Sequence, residues 1–583
     1  MTRLAAEHRE RLGRHLAFLY GDPVEEHLEA LCRALETFSA QQRVPSGGGG
    51  GALPLDERDA VLITYADSVR APGERPLATL RRFLASDVDD TASTVHLLPF
   101  YPSTSDDGFA VADYLVVDPA YGDWDDVAAL AREHRLMFDA VINHVSASHP
   151  WFQAFLRDEA PYRDYFITVE DDADLSRVVR PRTSPLTTPF ETRAGTRHVW
   201  TTFSADQVDL NYANPEVLLE IVNVVLAYVA RGASILRLDA VTYLWKEAGT
   251  TCVHLPRTHE VMRLLRSVID AVAPHVVLLT ETNVPHDENV AYFGDGHDEA
   301  HMVYNFALPP LVLHTFAHGD ATALRSWAAA LTTPSDATCF FNFLASHDGI
   351  GVRPVEALLS PGEIAALAER VRAHGGLVSY RSHPDGSQSP YELNVSFFDA
   401  LSDPRGPEGL ATQVERFMCA QAIMLALAGV PGIYLHSLIG ARSHREGVRA
   451  SGHARAINRE KLSLERLRAE LADERGIRAG VLGRYRALLR ARRSEGAFHP
   501  TAPQRVLDTA NGVFALRRGP PGASVTCLHN VGDRPAPIEL GDVGLPAGGA
   551  TDLTTGRSLP LDEGSLTLAP YAVAWLAPLR SGV

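Results

Sequence analysis

The chain has 583 residues, too many for one compact core, so two or more domains are expected. Hydrophobic residues make up 45% and charged residues 22%, the balance of a soluble globular protein. Lys+Arg 54 against Asp+Glu 72 leave a net charge of -18, which argues against a general affinity for nucleic acid or anionic membrane; an anionic ligand would need a local cluster of Arg or His.

Residues 1–57 read as an N-terminal helical extension with a glycine-rich linker. Apolar positions recur at three- and four-residue spacing in "LGRHLAFLYG" and "VEEHLEALCRALETF", and "SGGGGG" follows at 46–51. The first twenty residues are charged throughout and carry no signal-peptide apolar core, so a cytoplasmic location is expected. From about residue 58, short apolar runs alternate with amphipathic segments such as "WDDVAALAREH". The runs are "AVLITYAD", "TVHLLPF", "LMFDAVINHV", "ASILRLDAV", "HVVLLTET", "CFFNFLASHD" and "VPGIYLHSL". This alternation predicts parallel strands joined by helices, and seven or eight units favour an α/β (β/α)8 TIM barrel over residues 58–145 and 215–496. No GxGxxG follows the first strand, which speaks against a dinucleotide fold.

Two stretches break the rhythm: 146–214, read as an inserted subdomain, and 352–410, read as a second loop insertion. Insertions of that length usually serve function. "FMCAQAIMLALAGVPGIYL" approaches membrane length, but Gln421, Gly429, Pro431 and Gly432 interrupt it, and a buried helix followed by a strand is expected. From 497 to 583, short alternating runs with Gly/Pro turns predict a C-terminal all-β domain. The five cysteines are scattered without CxxC or CxxH spacing, which suggests neither a disulfide framework nor a zinc site.

Four of the predicted strands end in chemically capable residues: Asn143-His144, Arg237 with Asp239, Glu281, and His347-Asp348. Strand C-termini of a barrel share one rim, and charged groups ending apolar strands are costly unless paired or used. Three carboxylates with histidines and an arginine suit glycoside chemistry: one ionised carboxylate attacks the anomeric carbon and one protonated carboxyl releases the leaving oxygen. Arg237 lies two residues before Asp239, on the same side of the strand, and is expected to hold it ionised. Glu281, after apolar "VVLL", is expected to have its pKa raised by desolvation and like charge. Asp348, with His347, would stabilise the oxocarbenium-like state. Gly349 and Gly351 are expected to turn the chain there through positive φ.

"DAVINHV", "ILRLDAV", "LLTETN" and "FLASHD" resemble, in order and spacing, the four signature regions of the α-amylase family. The resemblance implies Asp239 as nucleophile, Glu281 as acid/base and Asp348 as transition-state stabiliser, with His144, Arg237 and His347 supporting a glucose subsite. "DDGFAVADYLVVDPAYGDWDDV", "DAVTYLWKEAGTTC" and "AINREK" narrow it to the sucrose phosphorylase branch. That implies Asp106 and Phe109 around the sugar, Tyr243 lining the site, and Arg459 paired with Asp106. Two positions depart from sucrose phosphorylases: Glu392 in "YELN" stands where they carry Gln, and Asn283 where they carry His. "TETNVPH" with "FLASHDGIGVRP" is instead similar to the glucosylglycerate phosphorylases of the branch.

A glycerate carboxylate needs cations, for which Arg353, Arg381, His383 and His286 are candidates. The basic stretch "ARSHREGVRASGHARAINREK" is expected to be a loop over an anionic pocket. The implied partners are a small α-glucoside and inorganic phosphate as co-substrate, with no cofactor and no nucleic-acid or membrane partner, in a monomer or homodimer. Asn143 matches a position that binds calcium in some α-amylases, but the branch implies no metal. Sucrose, sucrose 6′-phosphate and glucosylglycerol phosphorolysis, α-glucoside hydrolysis and non-catalytic sugar binding remain alternatives.

Overall fold

Eight short apolar runs close into a parallel barrel: β1 Val61–Thr64, β2 Thr94–Leu97, β3 Arg135–Val141, β4 Ala233–Asp239, β5 Val277–Thr280, β6 Met302–Tyr304, β7 Cys339–Phe343 and β8 Val430–Tyr434. Each pairs with its predecessor and successor in the chain, and β8 closes onto β1 through Val61–Gly432, Leu62–Ile433 and Ile63–Tyr434. Nearly every residue of these strands is buried, because side chains meet the barrel interior on one face and the helix ring on the other. Hence they read as continuous apolar runs rather than alternating ones. This computed structural model describes residues 4–42, 53–170, 173–182, 184–382, 387–545, 549–559 and 564–579.

The expected (β/α)8 barrel with a C-terminal β domain is the observed architecture. The run "CFFNFLASHD" supplies β7, and the long apolar stretch resolves into a helix, Leu410–Ala426, followed by β8. β6 is absent from the seven runs read in the sequence; it is three residues long, flanked by Asp298, Glu299 and His301 before and Asn305 after. No helix among the described residues is long and apolar enough to cross a membrane.

Two N-terminal helices, α1 Ala6–Tyr20 and α2 Glu25–Gln41, lie outside the ring. Leu12, Leu16 and Leu19 form the buried stripe of α1, which packs on the barrel helix Pro256–Val272, while α2 packs on Pro215–Ala230. His15 sits 2.7 Å from Glu260 and 3.0 Å from Ser267, and the Tyr20 hydroxyl donates to the Tyr212 carbonyl at 3.1 Å. The glycine run at 46–51 lies outside the described residues.

The insertion at 146–214 carries a hairpin, Thr187–Thr192 with Gly195–Trp200, and a strand, Gln207–Asp209, paired with His144–Ser146. The stretch 352–410 holds a helix, Pro361–Ala373, begun by a Ser360/Glu363 capping box, and a hairpin of Leu377–Ser382 and Gln388–Asn394. Beyond the last barrel helix, Ile477–Arg493, a six-stranded antiparallel sheet and a two-stranded one follow. Arg518 of that sheet donates to the Ala426 carbonyl at 2.8 Å, at the C-terminal end of the helix before β8, where a cation is favoured.

Candidate active site

β4 delivers Arg237 and Asp239 to one face because side chains two apart on a strand point the same way. The Arg237 guanidinium donates to Asp239 at 2.8 Å and also to Asp139. Asp139 is in turn held by His96 at 2.6 Å, both side chains being fully buried. Arg237 lies 5.6 Å from the Phe109 ring and 5.4 Å from the Tyr304 ring, close enough for cation–π attraction. Directly after Asp239 the chain turns through Ala240 at φ 52°, a left-handed conformation that costs a non-glycine residue about 1–2 kcal/mol. The turn aims the Ala240 N–H at the Glu281 carboxylate, 3.2 Å away, so β4 and β5 are tied together beside both acids.

Burial, reinforced by the negative charges of Asp239 and Asp348, pushes Glu281 up to about 7, with Arg237 pulling the other way. Asp239 is also pushed up by burial, against the pull of Arg237 and His144. Arg237 does pull Asp239 toward the ionised form, as expected, but burial outweighs it and leaves the carboxyl above its ordinary range. Asp348 differs from both. Burial raises it, but Arg455, Arg459, Arg237 and Arg182 outweigh burial and hold it below the usual carboxylate range.

β7 ends in the segment that carries His347 and Asp348. The His347 ring stacks on Phe109, centroids 5.0 Å apart and planes 7° from parallel. Arg459 donates to the His347 carbonyl at 2.8 Å, and Asn458 to the Asp348 carbonyl at 3.0 Å. Neither Gly349 nor Gly351 has positive φ, so the expected reason for these glycines is wrong. Crowding explains them instead: a Cβ at 349 would lie 2.6 Å from Glu392 Cγ, and one at 351 would lie 2.7 Å from the Asn283 amide.

One cleft at the C-terminal rim brings Asp239, Glu281 and Asp348 together with Asp106, Phe109, His144, Arg237, Tyr243, Asn283, His347 and Glu392. Its empty space is about 1060 Å³, open solvent included. His144 contacts the Phe109 carbonyl at 2.9 Å, and Tyr243 packs edge-on against Phe203. Four predicted residues stand elsewhere. Arg459 lies behind the cleft and bonds Asp107 rather than the predicted Asp106, which instead faces the Gln207 amide at 3.4 Å. Both aspartates have positive φ, and this tight turn points the neighbouring carboxylates in different directions. Arg353 lies 3.8 Å from Glu288, and Arg381 is bonded to Glu356 at 2.6 Å; neither lines the cleft. His286 packs against the rings of Trp327 and Phe340, and His383 lies outside the described residues.

Two cations in the cleft were not singled out from sequence: Arg182, from the polar insertion, and Arg455, from the basic stretch before "AINREK". Arg182 lies 5.9 Å from the rings of Phe203 and Tyr391 and has no ion-pair partner among the described residues. Arg455 is 2.6 Å from Asp348 and 3.0 Å from Glu392. For Arg455 the one earlier signal was the charge of the basic stretch, of which Arg455 and Asn458 line the cleft.

Behind His144, the Lys246 ammonium sits 2.6 Å from Asp209 and 2.8 Å from Asn143. It places a fixed positive charge where Asn143 and Asp209 would otherwise face a bound cation, so this donor set does not fit calcium. Among the described residues no group of three or more His, Cys, Asp or Glu side chains could hold a metal ion. Lys246 and Asp209 are nearly inaccessible, at 3% and 0% exposed. Replacing Lys246 with Met strands a buried carboxylate and should cost about 3–5 kcal/mol, read as a lowered urea midpoint.

Comparison with known proteins agrees with this geometry. The family model for the α-amylase catalytic domain matches residues 91–350. A glucosylglycerate phosphorylase of Allomeiothermus silvanus is 50% identical over 576 residues, covering 99% of this chain and 100% of that one. One of Escherichia coli is 46% identical over 524 residues, covering 89% and 92%. The crystal structure of sucrose 6F-phosphate phosphorylase from Thermoanaerobacter thermosaccharolyticum superposes with a TM-score of 0.71 at 25% identity, over 81% of this chain and 94% of that one. Eight-stranded barrel, rim acids and near-full-length relatives together establish that the chain belongs to the α-amylase family, among the glycoside phosphorylases.

Proposed function

We propose that this enzyme carries out the reversible phosphorolysis of 2-O-α-D-glucosylglycerate to α-D-glucose 1-phosphate and D-glycerate, with retention at the anomeric carbon. The observation that carries the reading is the cleft in which Asp239, Glu281 and Asp348 meet, with Glu281 tuned to about 7. Relatives named for this reaction, 50% and 46% identical over most of both chains, support the choice of acceptor.

In this reading Asp239 attacks C1 while Glu281 gives its proton to the departing glycerate oxygen, leaving a β-glucosyl-enzyme. Phosphate then attacks C1 from the face the glycerate left and displaces Asp239. A carboxyl at about 7 holds its proton near neutrality yet releases it readily, as a general acid must. Asp348 and His347 grip the sugar hydroxyls, and Asp106 and Phe109 close the pocket behind one glucose unit. Phosphate brings its own nucleophilic oxygen, so the protein has to exclude water and supply positive charge.

Glycerate and phosphate are both anions, and Arg182 is the cleft guanidinium without a carboxylate partner among the described residues. It serves both acceptors, in place of Arg353 and Arg381. Arg182→Ala should raise KM for phosphate about 10- to 100-fold, the worth of one charged hydrogen bond, with kcat less affected. Incubation with phosphate and a panel of glucosylglycerate, sucrose, sucrose 6′-phosphate and glucosylglycerol tests the whole reading. Glucose 1-phosphate should appear fastest from glucosylglycerate; free glucose as the main product would overturn it.

A further inference from the structure

Glu392 stands on the hairpin strand Gln388–Asn394, where it pairs in register with Gly351 of the turn that follows Asp348. Its side chain is 6% exposed, and a carboxylate that buried needs compensation. Arg455 provides it side-on, with Nη2 3.0 Å from Oε1 and Nε 3.4 Å from Oε2. The remaining arm of the same guanidinium, Nη1, lies 2.6 Å from Asp348. Glu392 Oε1 also accepts the Gly349 N–H at 2.9 Å. These contacts close a ring through Asp348, Gly349, Glu392 and Arg455 that joins three segments remote in sequence: the turn after β7, the hairpin and the basic stretch.

We propose that Glu392 and Arg455 are positioning residues, a charge clamp that sets the place of Asp348 against the sugar rather than a pair that recognises the acceptor. The geometry supports this over direct recognition. Every nitrogen of the Arg455 fork already faces a carboxylate and both Glu392 oxygens are engaged, so glycerate or phosphate would have to compete with these contacts for either group. The turn packs closely on the clamp: a Cβ at Gly349 would lie 2.6 Å from Glu392 Cγ. The inference rests on Asp348 being the group that grips the glucosyl unit.

The test is a set of variants assayed on whichever glucoside of the panel is turned over, so that a wrong acceptor assignment leaves the clamp measurable. Breaking a buried, hydrogen-bonded charge pair predicts that Arg455→Gln lowers kcat at least about 100-fold and Glu392→Gln about 10-fold, with KM for phosphate and for glycerate changed less than about threefold. Arg455→Lys, which keeps the charge, should recover at least about 10-fold of the loss. The double variant should be no worse than Arg455→Gln alone, because the two act as one unit. A Glu392→Gln variant with unchanged kcat and a large shift in KM for glycerate would overturn the proposal and make Glu392 an acceptor contact. Additive losses in the double variant would overturn it as well. Asp348→Asn separates the two levels: wild-type turnover in that variant would remove the catalytic reading itself, whereas its collapse alongside a normal Arg455→Gln would remove only the clamp.

Discussion

Asp239→Asn is expected to lower the rate of glucose 1-phosphate release by about 10⁴-fold or more while leaving the protein folded. The amide has nearly the shape of the carboxyl and can still accept from Arg237, so the connection through Arg237 to Asp139 and His96 survives. It is also neutral in a place where burial already disfavours charge, so thermal stability should hold or rise. What is lost is the attacking oxygen. Intact-protein mass spectrometry after rapid quench should show one bound glucosyl unit on the wild-type chain and none on the variant. Residual turnover within about tenfold of wild type would assign the nucleophile to another residue and dismantle the double displacement.

Glu281→Gln is expected to act differently, because its loss depends on the leaving group. With glucosylglycerate the rate should fall about 10²–10⁴-fold, since an alkoxide must then depart unprotonated. With α-glucosyl fluoride, whose leaving group needs no proton, most of the loss should vanish, and phosphate should still release glucose 1-phosphate. The wild-type pH profile follows from the same group. Glu281 must hold its proton to act, so kcat/KM should decline as pH rises through about 7, and that limb should disappear in the glutamine variant on the fluoride substrate.

Stability carries an independent signature. Burial raises the folded-state value far above the usual glutamate range of about 4.3. The native state therefore binds more protons than the unfolded chain between those values, and stability from this group is lost as pH rises through about 7. Glutamine removes the cost of burying the charge. Its melting temperature should exceed that of wild type at pH 8, with the gap narrowing toward pH 5.

The barrel was legible because strands covered on both faces are written as unbroken apolar runs, and their polar last residues marked the rim. β6 escaped because a three-residue strand between charged neighbours has too little apolar length to register. The three acids and Arg237 could be placed together from strand ends alone, but the cations carried on loops could not. Arg353 and Arg381 lie in segments as suggestive as those of Arg182 and Arg455, and only the fold shows that Glu288 and Glu356 engage the first two. Whether Arg459 would meet Asp106 or its neighbour depends on a tight left-handed turn that adjacent identical residues do not announce. Gly349 and Gly351 look like hinge residues in the sequence, whereas their small size answers to Glu392 and Asn283, side chains from other segments of the chain.

The bond between Asp107 and Arg459 spans 352 residues of chain. At translation speeds of about 5–20 residues per second, the aspartate leaves the ribosome roughly 20–70 s before its counter-ion is made. During that interval the nascent polypeptide holds the Asp106–Asp107 turn without the latch that ties it to the His347 carbonyl. The latch is thus completed late in synthesis, after β8, and a chain released before Arg459 would lack it altogether.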